Sequence, residues 1–437
     1  MSYVDQLLQR AADRSLHIGI LGLGYVGLPL ALTSIEAGLT VTGFDIDETK
    51  IVKLNKGETT IHHIGAERVA KAAATGRFHC TSDFTKSSEP DILILCVPTP
   101  LGPHMEPDMT YIADTMASVL PYIRAGQMVS LESTTYPGTT TEYLADPLVA
   151  KGFTIGEDVF VVYSPEREDP GNPNFDTATI AKVVGGHTPN CLKVAEAFYG
   201  IVIKKIHPVS SNEVAETSKL LENIFRAVNI GLVNETKIIC DRMGIDVWEV
   251  IRAASSKPFG FMPFYPGPGL GGHCIPIDPF YFTWKAREFG YHTRFIELAG
   301  EINRGMPEYV VAKTAEGLNN ACKSMKASKV LVLGIAYKKN IDDMRESPAV
   351  EIMEQLQHHG CVISYCDPFF PHFPKMREYH FDLSSVAFDA ATIASFDAVV
   401  IATDHDQFDY AMLLDKAQLI IDARGRYPRG TAKVVQA

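Results

Sequence analysis

Apolar and polar positions alternate in blocks along the first half of the chain. The stretch HIGILGLGYVGLPLALTSIEAG (17–38) contains an apolar run, a glycine-rich turn and a second apolar run with helical spacing. Four more apolar runs follow, with helical stretches between them: TVTGFDID, DILILCVPTP, QMVSLESTTYPG and VFVVYSPER. Strands that alternate with helices are typical of a parallel doubly wound sheet. We therefore predict a Rossmann-like domain over residues 1–208, with ligands bound where polar residues end the strands.

The middle of the chain has helical spacing. Residues 212–242 predict one helix about 45 Å long, at about 1.5 Å per residue. At roughly 100° per residue, one face of this helix is apolar and the opposite face is polar: Leu221, Ile224, Phe225, Val228 and Leu232 against Lys219, Asn223 and Arg226. Simple solvation would explain the polar face equally well. We assign residues 209–312 to a central helical domain.

Strand-like runs return near residue 325, in SKVLVLGIAYKKN, CVISYCDPFF, FDAVVIATDHDQF and QLIIDARG. They end in Asp, Gly, Lys or Arg, but only Gly334 follows the first of them, so the full glycine fingerprint is missing. These runs predict a second, smaller nucleotide-type sheet over residues 313–437. The expected fold class is α/β, with two Rossmann-like doubly wound domains joined by a helical region.

Composition excludes several classes of protein. The 437 residues are 46% hydrophobic and 21% charged, with a net charge of −12. A nucleic-acid binder would carry a basic field instead. No run of 18 apolar residues or secretory signal is present, so we expect neither a membrane span nor export. The eight scattered cysteines indicate reduced thiols in the cytoplasm, and no His/Cys spacing indicates a metal site.

A glycine fingerprint opens the first domain. Gly22, Gly24 and Gly27 follow a strand and begin a helix, and Asp45 ends the next strand 18 residues after Gly27. In such a motif the glycines permit a tight turn, the approach of a pyrophosphate and close helix packing. Asp45 would accept hydrogen bonds from ribose hydroxyls and repel a 2′-phosphate, which favours NAD over NADP. The alternative for Asp45 is a turn residue in DIDETK.

Cys274 lies in a turn almost stripped of side chains, GPGLGGHCIPIDPF (267–280). Cys96 and Cys366, by contrast, fall on apolar strand runs and are predicted to be packing residues. A reacting thiol needs space for its substrate, and a thiolate that attacks an aldehyde can carry the carbon on to a thioester. Asp278, four residues later, could orient water or take its proton. It could also cap the helix that follows.

Other candidate groups stand on helices and at strand ends. Lys219 and Asn223, one helical turn apart, could stabilise an oxyanion. Glu132 and Glu166 follow strands, where a carboxylate could hold or activate water, although each alone is more simply a loop carboxylate. Three cations in GIAYKKNIDDMRESP (334–348) would suit a diphosphate or form a solvated turn: Lys338, Lys339 and Arg345.

Together these motifs resemble the nucleotide-sugar 6-dehydrogenase family, which includes UDP-glucose and UDP-N-acetylhexosamine dehydrogenases. The resemblance covers nearly the whole chain, through GLGYVGLP, VPTP, ESTTYPGTT, YSPER, AETSKLLEN, FGFMPFYPGPGLGGHCIPIDP and GIAYKKNIDDMRESP in family order. It implies an NAD-dependent four-electron oxidation of the sugar C6 alcohol to a carboxylate. It also implies dimers or larger oligomers joined through the long central helix.

The resemblance also assigns roles to residues. Cys274 would form the thioester, and Lys219, Asn223, Asp278, Glu166 and Thr134 would assist as the other catalytic residues. The implied cofactor-binding residues are Gly22, Gly24, Tyr25, Val26, Gly27, Asp45, Pro98, Thr99, Thr134 and Arg345. The implied substrate-binding residues are Glu166, Arg167, Lys219, Asn223, Phe264, Tyr265, Gly271 and Lys338.

Two departures from the UDP-glucose members bear on the sugar. Pro170 stands where those members carry a second glutamate, and Pro258 stands where they carry an arginine that reaches a partner subunit's substrate. The stretch KPFGFMPFYPGPG is aromatic and would suit an acetamido methyl group, whereas plain glucose would leave a hydroxyl unpaired. We expect oxidation of UDP-N-acetyl-D-glucosamine for a bacterial surface polysaccharide such as O-antigen or capsule.

Four alternatives stay open. The substrate could be UDP-N-acetyl-D-mannosamine or UDP-glucose. The chain could instead be a two-electron hydroxyacid-type dehydrogenase, which needs no thiol. It could also be a silent sensor of NAD or nucleotide sugar, which would bind both ligands without forming NADH.

Overall fold

The computed structural model describes residues 1–61, 64–102, 105–167, 179–272, 275–376 and 379–437. The chain forms two compact units. The N-terminal unit comprises residues 1–222 and 280–291, and the C-terminal unit comprises residues 223–279 and 292–437. Cys274 lies outside the described residues. The three-domain division at residues 208 and 312 stays a prediction.

The N-terminal unit contains a sheet with helices along the chain between its strands. Its described strands are β1 (His17–Leu21), β2 (Thr40–Phe44), β3 (Phe78–Thr81), β4 (Ile92–Leu95), β5 (Gln127–Leu131), β6 (Val159–Tyr163), β7 (Lys182–Gly186) and β8 (Ile206–Val209). Its helices are α1 (Tyr3–Ala12), α2 (Gly27–Glu36), α3 (Glu48–Asn55), α4 (Ala66–Ala74), α5 (Thr110–Val119), α6 (Asp146–Ala150), α7 (Pro189–Val202), the start of α8 (Asn212–Met243) and, from residue 280, most of α10 (Asp278–Glu288). Short 3₁₀ segments occupy Phe84–Ser88 and Leu120–Tyr122, and one π turn occupies Thr141–Ala145.

The strands of this unit are ordered β3-β2-β1-β4-β5-β6-β7-β8. Neighbouring strands are parallel except for the antiparallel pair β6 and β7. The middle of the sheet is buried, with β4, β5 and β6 inaccessible along their whole length, which explains their nearly continuous apolar sequences. The order reverses between β1 and β4, and ligands bind at such a switch point.

The C-terminal unit contains a second sheet and the later helices. Its strands are β9 (Lys329–Leu333), β10 (Val362–Cys366), β11 (Ala398–Ile401), β12 (Ile420–Asp422) and β13 (Val434–Gln436). Its helices are the rest of α8, then α9 (Val247–Ala254), the first residues of α10 (Asp278–Glu288), α11 (Phe295–Arg304), α12 (Met306–Asn320), α13 (Pro348–His358), α14 (Ala390–Ala394) and α15 (Tyr410–Lys416).

The strands of the second sheet are ordered β10-β9-β11-β12-β13, and all of them are parallel. Apolar side chains from β9 and β11 are fully buried on both faces of this sheet, among them Val330 and Leu331. Helix α13 begins with Pro348 at its first position, where the missing N–H is not needed. The predicted α/β class with two Rossmann-like sheets and a helical region is confirmed.

Helix α8 runs from Asn212 to Met243, one residue beyond its predicted end. Its apolar stripe faces the core only in part, since Ile224 is buried but Leu221, Phe225 and Leu232 are exposed. Lys219 and Asn223 are buried instead, so solvation does not explain those two side chains. Within the described residues, no helix has the length and apolar character needed to cross a membrane.

Candidate active site

The glycine turn between β1 and α2 has three glycines in three different situations. Gly22 has a φ of +95°, and a Cβ there would lie 2.5 Å from the carbonyl oxygen of Cys96. A Cβ on Gly27 would lie 1.9 Å from the carbonyl oxygen of Gly22. A Cβ on Gly24 would meet no atom within 4 Å. The turn therefore requires Gly22 and Gly27 for its own backbone, whereas the space beside Gly24 is open to a ligand.

The start of helix α2 suits a negatively charged group. Its first turn carries no acidic residue, and the N-terminus of a helix offers unpaired N–H groups and a partial positive charge. Tyr25, beside the turn, is 44% exposed, and Val26 occupies the N-cap position without a side-chain cap.

Asp45 follows strand β2 and is 7% exposed. One of its oxygens accepts hydrogen bonds from the Leu23 backbone N–H (3.0 Å) and the Lys50 ammonium (2.7 Å). The other accepts the Asp47 N–H at 3.0 Å. The interpretation of Asp45 as a turn residue therefore describes a real feature, because it orders its own turn and also holds the glycine turn, whereas its contact with a ribose stays a prediction. Three donors leave about one of the carboxylate's four acceptor positions for a ribose hydroxyl.

The ends of β4 and β5 are tied together by Ser133. Its hydroxyl donates to the Val97 carbonyl at 2.7 Å and accepts the Val97 N–H at 3.0 Å. Pro98 is exposed beside this link, whereas Thr99 is buried and its carbonyl accepts the Tyr281 hydroxyl at 2.9 Å. Thr134, three residues after β5 ends at residue 131, is half-buried.

Thr135 has a buried hydroxyl with no hydrogen-bond partner among the described residues. A buried hydroxyl that is left unpaired costs free energy, so its position suits a polar group of a ligand. The sequence prediction named Thr134 and passed over Thr135. The only signal available was the run of two threonines after the strand.

Lys219 and Glu166 meet in the N-terminal unit. The Lys219 ammonium donates to the Glu166 backbone carbonyl at 2.7 Å, which fixes the lysine beside the YSPER loop. Arg167, the next residue in that loop, makes a two-pronged ion pair with Glu222 at 2.6 and 3.1 Å. It also donates to the Ala181 carbonyl at 2.6 Å. The structure thus shows Arg167 in contacts within the unit, and its substrate role stays a prediction.

A buried cluster of charges lies beside these residues. Lys182 donates to Glu132 at 2.8 Å and lies 3.8 Å from Glu166, and the Tyr199 hydroxyl donates to Glu132 at 2.6 Å. Lys182 and Tyr199 are absent from the sequence-based site. Their signal is weak, since Lys182 reads as one charge at the start of an apolar strand and Tyr199 as a core aromatic.

Asn223 and Asp278 meet in the C-terminal unit. The Asn223 amide donates to a carboxylate oxygen of Asp278. Both side chains are buried, and Asp278 is the first residue of α10. The structure therefore brings this predicted catalytic pair together, and Asp278 is four residues after Cys274 in the chain.

The glycine-rich turn before Cys274 packs closely on the loop after β9. A Cβ on Gly271 would lie 2.5 Å from the Cβ of Tyr337, and the Gly272 N–H donates to the Arg345 carbonyl at 2.9 Å. The Gly267 N–H donates to the buried side chain of Asn234 on α8 at 3.0 Å. The bare backbone thus has a packing cause in addition to its predicted role beside a reacting thiol.

The remaining predicted site residues of the C-terminal unit are Arg345, Lys338, Phe264 and Tyr265, and each has different neighbours. Arg345 is paired with Asp343 at 2.6 Å, and Lys338 is half-buried on the same loop. Phe264 packs edge-on against Phe225 with ring centroids 5.7 Å apart, and the exposed Tyr265 stacks on Trp248 at 6.2 Å. The proposed contacts of Arg345 with cofactor and of the other three with substrate stay predictions.

The sequence matches three domains that occur together in one family. Residues 16–203 match the NAD binding domain of the UDP-glucose/GDP-mannose dehydrogenase family, residues 213–305 its central domain, and residues 331–429 its UDP binding domain. The chain belongs to this family. It is an NAD-dependent UDP-sugar 6-dehydrogenase, which confirms the predicted cofactor and reaction class.

Two curated relatives of this dehydrogenase have different substrates in their names. It is 35% identical to UDP-N-acetyl-D-glucosamine 6-dehydrogenase of Pseudomonas aeruginosa, over 90% of this chain and 92% of that protein. It is 36% identical to UDP-N-acetyl-D-mannosamine dehydrogenase of Escherichia coli, over 93% and 98%. Among solved structures, the UDP-D-ManNAc dehydrogenase of Pyrococcus horikoshii is similar with a TM-score of 0.86 and 29% identity, over 96% and 98% of the two chains.

The residues of this dehydrogenase fit NAD. The open space beside Gly24, the uncapped start of α2 and the acceptor position left on Asp45 provide for a pyrophosphate and a ribose. Lys50 was not predicted as part of this site. Its ammonium pairs with the Asp45 carboxylate and neutralises its charge.

Proposed function

We propose that this dehydrogenase oxidises UDP-N-acetyl-D-glucosamine to the corresponding uronate in the cytoplasm, for bacterial surface-polysaccharide synthesis. The relatives support an N-acetylhexosamine, and the aromatic stretch that holds Phe264 and Tyr265 suits an acetamido methyl group. The manno epimer is the second candidate, because relatives named for it match equally well. In this proposal residues 1–208 bind NAD, residues 209–312 carry the nucleophile and residues 313–437 bind the UDP group.

The observation that carries the chemistry is the hydrogen bond between buried Asn223 and Asp278. NAD held at the glycine turn and Asp45 would supply the oxidant, with one NAD molecule for each of the two hydrides removed. In the proposal the Cys274 thiolate attacks the aldehyde carbon, and the Lys219 ammonium and Asn223 amide stabilise the resulting oxyanion. Loss of the second hydride leaves a thioester on Cys274. Water then cleaves it, releasing the carboxylate and restoring the thiol, with Glu166 or Asp278 taking the proton.

The substrate proposal is tested by NADH formation with purified UDP-N-acetyl-D-glucosamine, its manno epimer and UDP-glucose. We expect the highest kcat/KM with the gluco N-acetyl sugar and two NADH for each uronate formed. A clear preference for the manno epimer would overturn the substrate and leave the chemistry intact.

The nucleophile is tested with Cys274→Ser. Because the thioester cannot form, we expect uronate formation to fall by at least about 10³-fold, while NAD binding measured by titration stays unchanged. Mass spectrometry of the wild-type protein quenched during turnover should show a sugar adduct on the peptide that contains residue 274. A Cys274→Ser variant that still completes both oxidations at the normal rate would contradict this mechanism and favour the hydroxyacid-type reaction.

A further inference from the structure

A buried lysine stands between two carboxylates in the N-terminal unit. Lys182 is 5% exposed, and its ammonium lies 2.8 Å from a Glu132 oxygen and 3.8 Å from a Glu166 oxygen. Glu132 is fully buried, and its second oxygen accepts the Tyr199 hydroxyl. Tyr199 in turn shares a hydrogen bond with Ser130 at 2.9 Å. The carboxylate of Glu132 is thus held on both sides.

The order and direction of the strands bring Lys182 close to Glu132 and Glu166. Glu132 follows β5 directly, and Glu166 follows β6 by three residues. Strand β7 runs antiparallel to β6, with Tyr163 opposite Gly185, so continuing that register places Lys182 opposite Glu166. The reversed strand therefore brings its first residue to the carboxyl ends of β5 and β6, the edge at which such sheets bind ligands.

Two carboxylates of this cluster lie near the same ammonium, because Lys182 pairs with Glu132 and also lies close to Glu166. Burial alone would lower the pKa of Lys182, but Glu132 and Glu166 raise it overall, so the ammonium persists. Burial raises the pKa of Glu132 against the pull of Lys182. Among the described residues, the Arg167 backbone N–H donates to a Glu166 carboxylate oxygen at 2.8 Å. The cluster is also faced by the Cys96 thiol, the Tyr199 hydroxyl and, through the Glu166 carbonyl, the Lys219 ammonium.

A buried ion cluster is a poor device for stability alone. Apolar residues of similar volume are often as stable, or more stable, because they avoid the loss of hydration of the charges. A cluster kept at the ligand edge, in contact with Glu166, therefore points to control of that carboxylate. Glu132 and Glu166 compete for Lys182, so Lys182 should favour the ionised form of Glu166 and Glu132 should oppose it.

We propose that Lys182 is a positioning residue that holds Glu166 in its ionised form for the water step, and that Glu132 tunes this effect. The inference rests on the proposed role of Glu166 in taking a proton from water. Lys182 itself touches neither water nor sugar in this account. It acts on Glu166 alone.

The test uses the full-length enzyme and the pH profile of kcat for uronate formation. Lys182→Met should move the acid limb to higher pH by about one unit or more, because an opposite charge within a few ångströms has an effect of this size. Glu132→Gln should move the acid limb to lower pH. The double variant should lie near the wild type, and Lys182→Arg should restore most of the shift. Lys204→Met, at an exposed position, is the control and should not move the limb.

A second readout is independent of turnover. Infrared difference spectra recorded during pH titration follow carboxyl groups directly, and Glu166→Gln identifies the band of Glu166. Without nucleotide, this band should titrate at higher pH in Lys182→Met and at lower pH in Glu132→Gln. If Lys182→Met does not fold, Glu132→Gln and the double variant still give the predicted pair of values.

The outcomes separate the two proposals. Unmoved infrared titrations in variants that fold normally would show that Lys182 is a structural residue, and the inference would fail. If the infrared shifts appear but Glu166→Gln keeps both its rate and its acid limb, Lys182 controls the ionisation of Glu166 but not the water step. In that case the proton-accepting role of Glu166 is wrong.

Discussion

Gly24 and Gly27 lie in the same turn, but a methyl group at each position would meet different surroundings. At Gly27 it would collide with the backbone of Gly22, and at Gly24 it would enter open space. Two identical substitutions in one turn should therefore have different consequences.

We expect Gly27→Ala to lower the melting temperature, because backbone must shift to admit the methyl group. Gly24→Ala should melt within about 1 °C of the wild type and bind NAD about tenfold more weakly, a cost of about 1.4 kcal/mol. Differential scanning fluorimetry and calorimetric NAD titration measure the two effects. Normal NAD affinity in Gly24→Ala would show that the pyrophosphate does not approach this glycine.

At the residue scale, the sequence predicts the roles of those residues that belong to a local sequence motif. The three glycines and Asp45 are separated by short, fixed spacings, so their roles in the turn follow from order along the chain. Lys182 does not follow in this way. It joins Glu166 through an antiparallel pairing of β6 with β7, and no local pattern shows which way β7 runs. Lys50 was likewise missed, because a lysine in a first helical turn usually reads as solvated.

At the scale of elements, helix α8 shows how far periodicity can predict. The helix and its ends follow from the sequence, but the face that is buried does not. Lys219 and Asn223 turn inward because each has a specific hydrogen-bond acceptor, namely the Glu166 carbonyl and the Asp278 carboxylate. Such partners lie far away in the sequence, and a wheel of apolar positions does not contain them.

The C-terminal end of α8 is anchored by Asp241. Its carboxylate accepts hydrogen bonds from Lys313 (2.7 Å), Tyr309 (2.9 Å) and Arg429 (3.0 Å). Burial alone would raise the pKa of Asp241, but these donors lower it overall from the ordinary value of 3.8. A carboxyl whose pKa is lowered by folding contributes stability above its unfolded pKa and loses it as the pH falls.

We therefore expect Asp241→Asn to lower the melting temperature at pH 7 by about 2–4 °C. The difference from the wild type should shrink as the pH falls below 3.8, where the wild-type carboxylate becomes protonated. Thermal scans between pH 7 and pH 3 measure it, with exposed Glu235→Gln on the same helix as the control. A difference that is constant with pH would mean that charge is not the cause.

At the scale of the whole molecule, the exposed side of α8 bears on assembly. Leu221, Leu232 and Met243 are 63%, 58% and 66% exposed, and Phe225 and Ile239 add to this surface. A row of large apolar side chains in water favours burial against another surface. It supports the prediction that the enzyme is at least a dimer through this helix.

Leu232→Glu should reduce the assembled fraction, because it places a charge in the apolar surface. Light scattering after size-exclusion chromatography measures the mass. Val149→Glu is the matched control, since Val149 is 55% exposed on another helix, α6, and it should leave the mass unchanged. A monomeric wild type would contradict the prediction outright.

The burial of the cysteines makes the protein convenient for chemical labelling. Six of the seven described cysteines are buried, and Cys322 is exposed. Burial holds the pKa of Cys80 at about 12 and raises that of Cys96 well above its ordinary value, so these thiols stay protonated and shielded from alkylating reagents. Replacing Cys322 with serine would then leave Cys274 as the remaining target, and the rate of alkylation would report when the nucleophile becomes accessible and when bound sugar protects it.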